Sequence, residues 1–245
     1  MKKLLFCVVA LTLCQGCQAQ SQQEQAKSFA LAEQALNSGN SQEAVRRFDE
    51  ILKTSPEYER ALVLRCKAKY KLQDYQGAVK DAQQILAIKP NAFSEQDYQA
   101  ILNLGICYNN LRQFKQARQY LYQAQKVDST DVRIPESLAY GYLEEHDFAK
   151  SIKYYSHAVE LNPASKTIFY GLGKSYLQAN QYPEAVKAYN QAIKLDPAYA
   201  VAYQNRASAK YLMQDLNGCC ADLKRCEDRG VNNAQVAAFR EKVCH

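Results

Sequence analysis

Apolar and small residues recur at helical spacing along residues 166–199. Phe169, Leu172, Gly173 and Tyr176 stand at i, i+3, i+4 and i+7, which puts them on one face of a helix. Ala185, Tyr189 and Ala192 mark the face of a second helix, and Pro197 stops it, because proline cannot continue the hydrogen-bonded ladder. The same rhythm returns along the chain. The segments SQEAVRRFDEIL, YQGAVKDAQQIL, FKQARQYLYQAQ, FAKSIKYYSHAV, YPEAVKAYNQAI and LNGCCADLKRCE are versions of one amphipathic helix. Composition agrees with paired helices: Gln, Ala, Leu, Lys and Tyr dominate, whereas 9 Gly and 6 Pro are few for a β-rich chain.

The spacing of these segments is regular. Pro163 and Pro197 are 34 residues apart, as are Pro56 and Pro90; Ala44 and Ala78 keep that interval, and so do Ser151, Ala185 and Cys219. A fixed period of this length marks a stacked repeat, in which one helix pair cannot bury its apolar face alone and covers it with the next. These residues resemble the tetratricopeptide repeat family. Its unit has a large apolar residue at position 4, Leu at 7, a small residue at 8, an aromatic at 11, Ala at 20, an aromatic or Leu at 24, Ala at 27 and Pro at 32. Residues 166–199 fill all eight positions. Residues 132–165 fill all but position 4, which is Pro135. Residues 98–131 place Leu104, Gly105, Tyr108, Ala117 and Ala124 correctly but have Ser129 where proline is usual. Residues 25–58, 59–92 and 200–231 are looser copies in phase. The resemblance implies an all-α, right-handed superhelical solenoid of about six helix-turn-helix units. A capping helix is expected over residues 232–245, with Val236, Phe239 and Val243 facing inward. Between the second and third copies the phase slips by five residues, 93–97. This insertion is expected to be a longer turn in which Ser94 and Asp97 cap the next helix, or a bend dividing two repeats from four.

The first residues differ from all of this. Lys2 and Lys3 precede an apolar run from Leu4 to Cys14, too short to span a bilayer, and small residues follow. This is the layout of an export signal over residues 1–19, with a polar tether at 20–24. Gly16-Cys17 resembles the end of a bacterial lipobox, which would end the leader at residue 16 and lipidate Cys17. The competing cleavage falls before Gln20, and both outcomes stay open. The expected location is the periplasm or outer membrane of a Gram-negative bacterium, or outside the cell, with membrane contact only through that lipid.

Export places the cysteines in an oxidising compartment. Cys219 and Cys226 are seven apart on one helix, roughly 10 Å, too far to bridge, and Cys219–Cys220 would be strained. Cys244 is therefore expected to pair with Cys219, Cys220 or Cys226. The resemblance narrows this: in exported bacterial proteins of the family, a cysteine at this helix place in the closing repeat pairs with one near the C-terminus, which implies Cys220–Cys244. Cys219 and Cys226 fall where the family has Ala and are expected in the core, as is Cys66 at position 8; Cys107 has no assigned place.

Candidate chemistry is sparse. Gly173-Lys174-Ser175 ends like a phosphate-binding loop, but Ile168 stands where that motif needs its first glycine and no strand leads in. His146, His157 and His245 share no metal-ligand spacing with another His or Cys. Glu144, Glu145 and Asp147 crowd a tight turn rather than flank a cleft. The net charge of +6 is interspersed along the chain, not gathered into a stripe, which argues against nucleic acid. No catalytic residue, metal or cofactor is expected.

In the family the first helices line a concave groove, with positions 2, 5, 6, 9, 12 and 13 facing it. The resemblance puts Arg60, Lys67, Tyr70 and Lys71 there from the second copy, and Asn103, Asn109 and Asn110 from the third. Arg133 and Tyr140 come from the fourth, Tyr170 and Lys174 from the fifth, and Asn205 and Tyr211 from the sixth. This mix of Tyr, Asn, Lys and Arg suits a peptide backbone and its carboxylates. The Lys-Asn-Asn-Lys-Arg clamp of the chaperone-binding subfamily is absent, since position 5 is never Lys. The expectation is a non-catalytic interaction module of the cell envelope that binds a protein or peptide. Its alternatives are a scaffold subunit that uses the convex face or stack ends, and an accessory subunit of an envelope polysaccharide enzyme.

Overall fold

The computed structural model describes residues 23–88, 95–229 and 234–244. The leader with both of its cleavage outcomes, Cys17, Ser94 and His245 lie outside the described residues. The described residues form thirteen helices and no strand. The chain divides into two compact units, Met1–Leu111 and Arg112–His245.

The first unit holds α1 (residues 23–37), α2 (Ser41–Thr54), α3 (Glu59–Lys71), α4 (Tyr75–Ile88) and α5 (Glu95–Asn110). The second holds α6 (Phe114–Val127), α7 (Arg133–Glu144), α8 (Phe148–Leu161), α9 (Lys166–Gln178), α10 (Tyr182–Leu195), α11 (Ala200–Leu212), α12 (Leu216–Glu227) and α13 (Ala234–Val243). Within each unit every helix packs on the next in sequence, and first helices also touch each other: α3 with α5, α7 with α9, and α9 with α11.

Small residues set the distance between helices. Ala44, Ala78, Ala117, Ser151, Ala185 and Cys219 all occupy position 20, and each is fully buried. Ser151 keeps its hydroxyl satisfied there through Ala139 O at 2.9 Å and Ser175 Oγ at 2.7 Å. In the fourth and fifth repeats position 24 then lays a tyrosine across a first helix. A Cβ on Gly173 would come within 2.6 Å of the Tyr189 ring, and one on Gly171 within 2.4 Å of Tyr155. Gly173-Lys174-Ser175 thus lies inside α9, where the glycine makes room for a ring and no phosphate loop exists.

The turn inside each repeat carries a second copy of the period. Gly39, Gln73, Arg112, His146, Asn180 and Gln214 all have φ between 58° and 85°. The residue after each begins or caps the second helix; Asn40, Asp147 and Asp215 accept from the backbone N–H three residues on.

Three expectations need correcting. Residues 23 and 24 belong to α1 rather than to a tether. Residues 95–97 are the first turn of α5 and not part of a longer turn; Glu95 and Asp97 suit a helix N-terminus, where negative charge is favoured. The boundary between the units falls at Leu111–Arg112, in the turn of the third repeat, not at 93–97. The last helix, Ala234–Val243, lies inside the expected span of 232–245, of which residues 232, 233 and 245 are outside the described ones. Its Val236 is buried with Tyr203, Ala207, Cys219, Leu223 and Cys226, and Phe239 and Val243 pack against them. Cys220 and Cys244 are joined in a disulfide with a Cα–Cα distance of 5.7 Å. Cys66, Cys107, Cys219 and Cys226 are free and buried.

Candidate partner-binding faces

In the first unit, α1, α3 and α5 enclose a cleft of about 200 Å³. Val63 and Leu64 line it together with Glu33, Arg60, Glu95, Gln96 and Gln99. Arg60 is exposed and its guanidinium sits 4.8 Å from the Phe29 ring centroid. Lys67 is exposed on the same helix. Tyr70 is exposed and packs 5.6 Å from Tyr75, while Lys71 Nζ donates to Leu36 O at 3.5 Å. Asn103 is half-buried against the Cys66 thiol, and Asn110 donates back to Ile106 O at 2.9 Å. Asn109 is only 2 % exposed and does not belong to an open face. The reason lies in its helix: α5 buries Ile101, Leu102, Leu104 and Cys107 as well, so it is apolar around most of its circumference and is covered accordingly.

The second unit builds a more continuous face. Tyr140 on α7 and Tyr170 and Lys174 on α9 are half-buried. Asn205 on α11 donates to the Tyr170 hydroxyl at 3.1 Å, tying two successive first helices together at this surface. The Tyr170 ring lies 5.4 Å from Tyr199 and 6.0 Å from Tyr189. Burial raises its phenol above the ordinary value, opposed by the Asn205 hydrogen bond. Tyr211 is exposed, edge-on to Phe239 of α13 at 5.2 Å. Arg133, at the start of α7, is held by Asp131 at 2.5 Å. Glu136, one helical turn before Tyr140, was missed by the reading of the sequence although it stands at position 5, where the family faces its groove. It is half-buried and hydrogen-bonded to Thr167, and burial raises its carboxyl above the usual range.

Sequence reasoning also missed the chemistry at the junctions between repeats. Arg65 stands where the family has Leu and Lys69 where it has an aromatic. Both turn onto Asp81, with Arg65 bidentate at 2.9 and 2.7 Å and Lys69 at 2.9 Å, and Arg65 also reaches Asp49 at 2.7 Å. The sixth repeat reproduces this group: Arg206 is bidentate to Asp222 at 2.8 and 2.5 Å, Lys210 is 2.9 Å away, and Asn190 replaces Asp49 at 2.6 Å. In the fourth repeat the equivalent place holds phenols. Tyr122 OH lies 2.8 Å from Tyr142 OH and 3.2 Å from Tyr154 OH, and the rings of Tyr142 and Tyr154 stack at 5.6 Å. Burial, with the Tyr122 hydrogen bond behind it, pushes Tyr142 up to about 12. The signal was in the sequence: a cation at a Leu position, paired with an acid 16 residues on, occurs in both copies.

Among the described residues no group of three or more His, Cys, Asp or Glu is placed to hold a metal ion. No helix among them is long and apolar enough to cross a membrane. His146 is exposed in its turn against Phe148, and His157 is half-buried on α8.

Comparison with known proteins bears on the fold. Residues 29–93, 98–131 and 137–165 match family models described as tetratricopeptide repeat, and residues 173–214 match one described as TPR repeat; together they cover more than half of the chain. No curated protein matches by sequence. Among solved structures, PilW, described as a widely conserved type IV pilus biogenesis factor, is similar with a TM-score of 0.77 at 14% identity, over 88% of this chain and 97% of PilW. PilF of Pseudomonas aeruginosa is similar with a TM-score of 0.71 at 14% identity, over 89% of this chain and 97% of PilF. A chain of the APC/C hetero-tetramer Cut9-Hcn1 gives 0.77 at 16% identity; the match covers 90% of this chain but only 43% of that one. At such identities the structural likeness speaks for the fold alone. With its 34-residue period, its stacked helix pairs and these sequence matches, the chain belongs to the tetratricopeptide repeat family.

Proposed function

We propose that the protein is a non-catalytic interaction module of the cell envelope that holds a protein or peptide partner on its first-helix faces. Repeats of this family generally mediate protein–protein interaction and are generally not catalytic. The observation that carries the reading is the Asn205–Tyr170 bridge between α11 and α9, with Tyr140 and Lys174 half-buried beside it. Partly buried tyrosines fixed by an amide offer rigid, amphipathic anchor area, the kind of surface from which binding hot spots are made. The envelope location rests on the leader at residues 1–19, or 1–16 where Cys17 is the first mature residue, and on the likeness in fold to PilW and PilF over almost their whole length.

Crosslinking and pull-down from isolated envelopes tests this. A discrete partner captured by the wild-type chain is expected to disappear with Tyr140→Ala or Lys67→Glu. A second reading, a scaffold that assembles through another surface, is favoured by Leu212, Met213 and Leu216, all exposed around the turn between α11 and α12. A partner retained through every first-helix substitution but lost on Leu212→Ser/Leu216→Ser supports that reading instead.

A further inference from the structure

If the first-helix face of the second unit holds a peptide or protein segment, its unpaired charges describe that segment. Several acids of this unit are neutralised by a cation. Asp222 has Arg206 and Lys210, Glu144 has Arg112, Asp147 has Lys150 and Asp196 has Lys166. Glu136 is the exception on the face: it is half-buried and takes part in no ion pair among the described residues. The cation nearest in sequence, Arg133, is held by Asp131. Glu136 is close enough to act on Tyr155, 6% exposed, whose phenol crosses α9 at Gly171, where a Cβ would sit 2.7 Å from the hydroxyl oxygen. Tyr140 and Tyr170 are the other phenols close enough to act on Tyr155. A half-buried carboxylate close to a buried phenol, with Tyr140 one helical turn along the same face, attracts a cation, to which an aromatic ring adds its own pull. One helix further along, Lys174 is half-buried with no hydrogen bond or ion pair among the described residues. It does not reach Glu136.

We infer that this face recognises a partner segment carrying a basic side chain, seated on Glu136 among Tyr140, Tyr155 and Tyr170, and a carboxylate that meets Lys174. Tyr170 occupies the same repeat position as Glu136, and Lys174 is one turn beyond it. The two charges are thus offset by one interhelical spacing and one turn, a separation an extended segment covers in roughly three residues.

The probe is a synthetic library of peptides of about twelve residues, each in free-acid and amidated form, presented to the full chain at low salt. The bound pool is expected to be enriched in Lys or Arg, with Asp, Glu or the free C-terminus about three residues away. Dependence on the free-acid form assigns the carboxylate to the chain end; indifference assigns it to a side chain. Glu136→Gln, which preserves shape, is expected to weaken the best binder about tenfold. Glu136→Lys combined with Lys174→Glu is expected to exchange the charge preferences, with circular dichroism verifying the fold. Binding abolished by Tyr170→Ala but indifferent to Glu136→Gln and Lys174→Gln overturns this inference and leaves the first-helix reading standing. Binding indifferent to Tyr140→Ala and Tyr170→Ala as well, or no binding by any peptide, overturns both.

Discussion

Gln73, Arg112, His146, Asn180 and Gln214 hold a left-handed backbone, yet none is glycine. For an L-residue that conformation is strained by roughly 1–2 kcal/mol. Gln214 is exposed at its turn, so Gln214→Gly removes strain without removing a contact. We expect a gain of about 0.5–1 kcal/mol, read as a higher melting temperature; a lower one contradicts the account. Glu136 is strained electrostatically instead. Its folded carboxyl keeps its proton to higher pH than the unfolded one, so the folded state is favoured at acid pH and loses stability as pH rises through the folded value. Glu136→Gln should therefore raise the melting temperature at neutral pH and leave it unchanged near pH 3, below the ordinary carboxylate value of about 4.3. Thermal unfolding at the two pH values measures the difference. These residue-scale features were only half legible in the sequence. The turn positions follow from the period, but without glycine nothing in Gln214 announces a positive φ, and nothing in Glu136 says which neighbours lack a cation.

At the scale of elements, the sequence spoke most clearly where packing repeats. Small residues at positions 8 and 20 are forced by the approach of two backbones, so they recur and can be counted. Gly173→Leu is expected to destabilise by about 1–3 kcal/mol or more through collision with Tyr189, with no change in ATP binding, which the protein should lack. Less legible was what fills a position once the pattern is broken. Arg65 and Arg206 looked like departures from Leu, whereas each is half of a buried ion cluster. Asp222 is 2 % exposed, so Asp222→Ala strands Arg206 and Lys210 and should cost about 3–5 kcal/mol in denaturant unfolding. Adding Arg206→Leu and Lys210→Tyr, the residue types of the fifth repeat, should recover most of that loss. A triple variant as unstable as the single one would show that the charges themselves are not the issue. Asn109 failed for the opposite reason: its repeat position faces outward in the family, but α5 is apolar nearly all round and buries it.

For the molecule as a whole, the two units have separate ends and separate fates. The Cys220–Cys244 bridge spans 24 residues of sequence and fastens α13 over Val236's cluster. Reduction, or Cys244→Ser, should lower stability by about 3 kcal/mol. Hydrogen exchange should quicken first in α13 and then in α11 and α12, while α2 to α4 keep their protection. Equal loss of protection in both units would refute a local role for the bridge. The six-copy period made this overall plan readable, whereas the division at Leu111–Arg112 was not, because it falls in a turn whose residues look like every other turn of the array.

The junctions carry one last consequence. A chain made of near-identical helix pairs risks stacking in the wrong order as it folds, since any pair could cover any other. Here a carboxylate gripped by two cations and a trio of phenols are incompatible surfaces. A misplaced pair would press a guanidinium against leucine or leave an aspartate dry and alone, and such a stack would come apart before it set. The charged group shared by the second and sixth repeats and the phenols of the fourth thus set these junctions apart from their neighbours, which narrows the orders in which a monotonous sequence can stack.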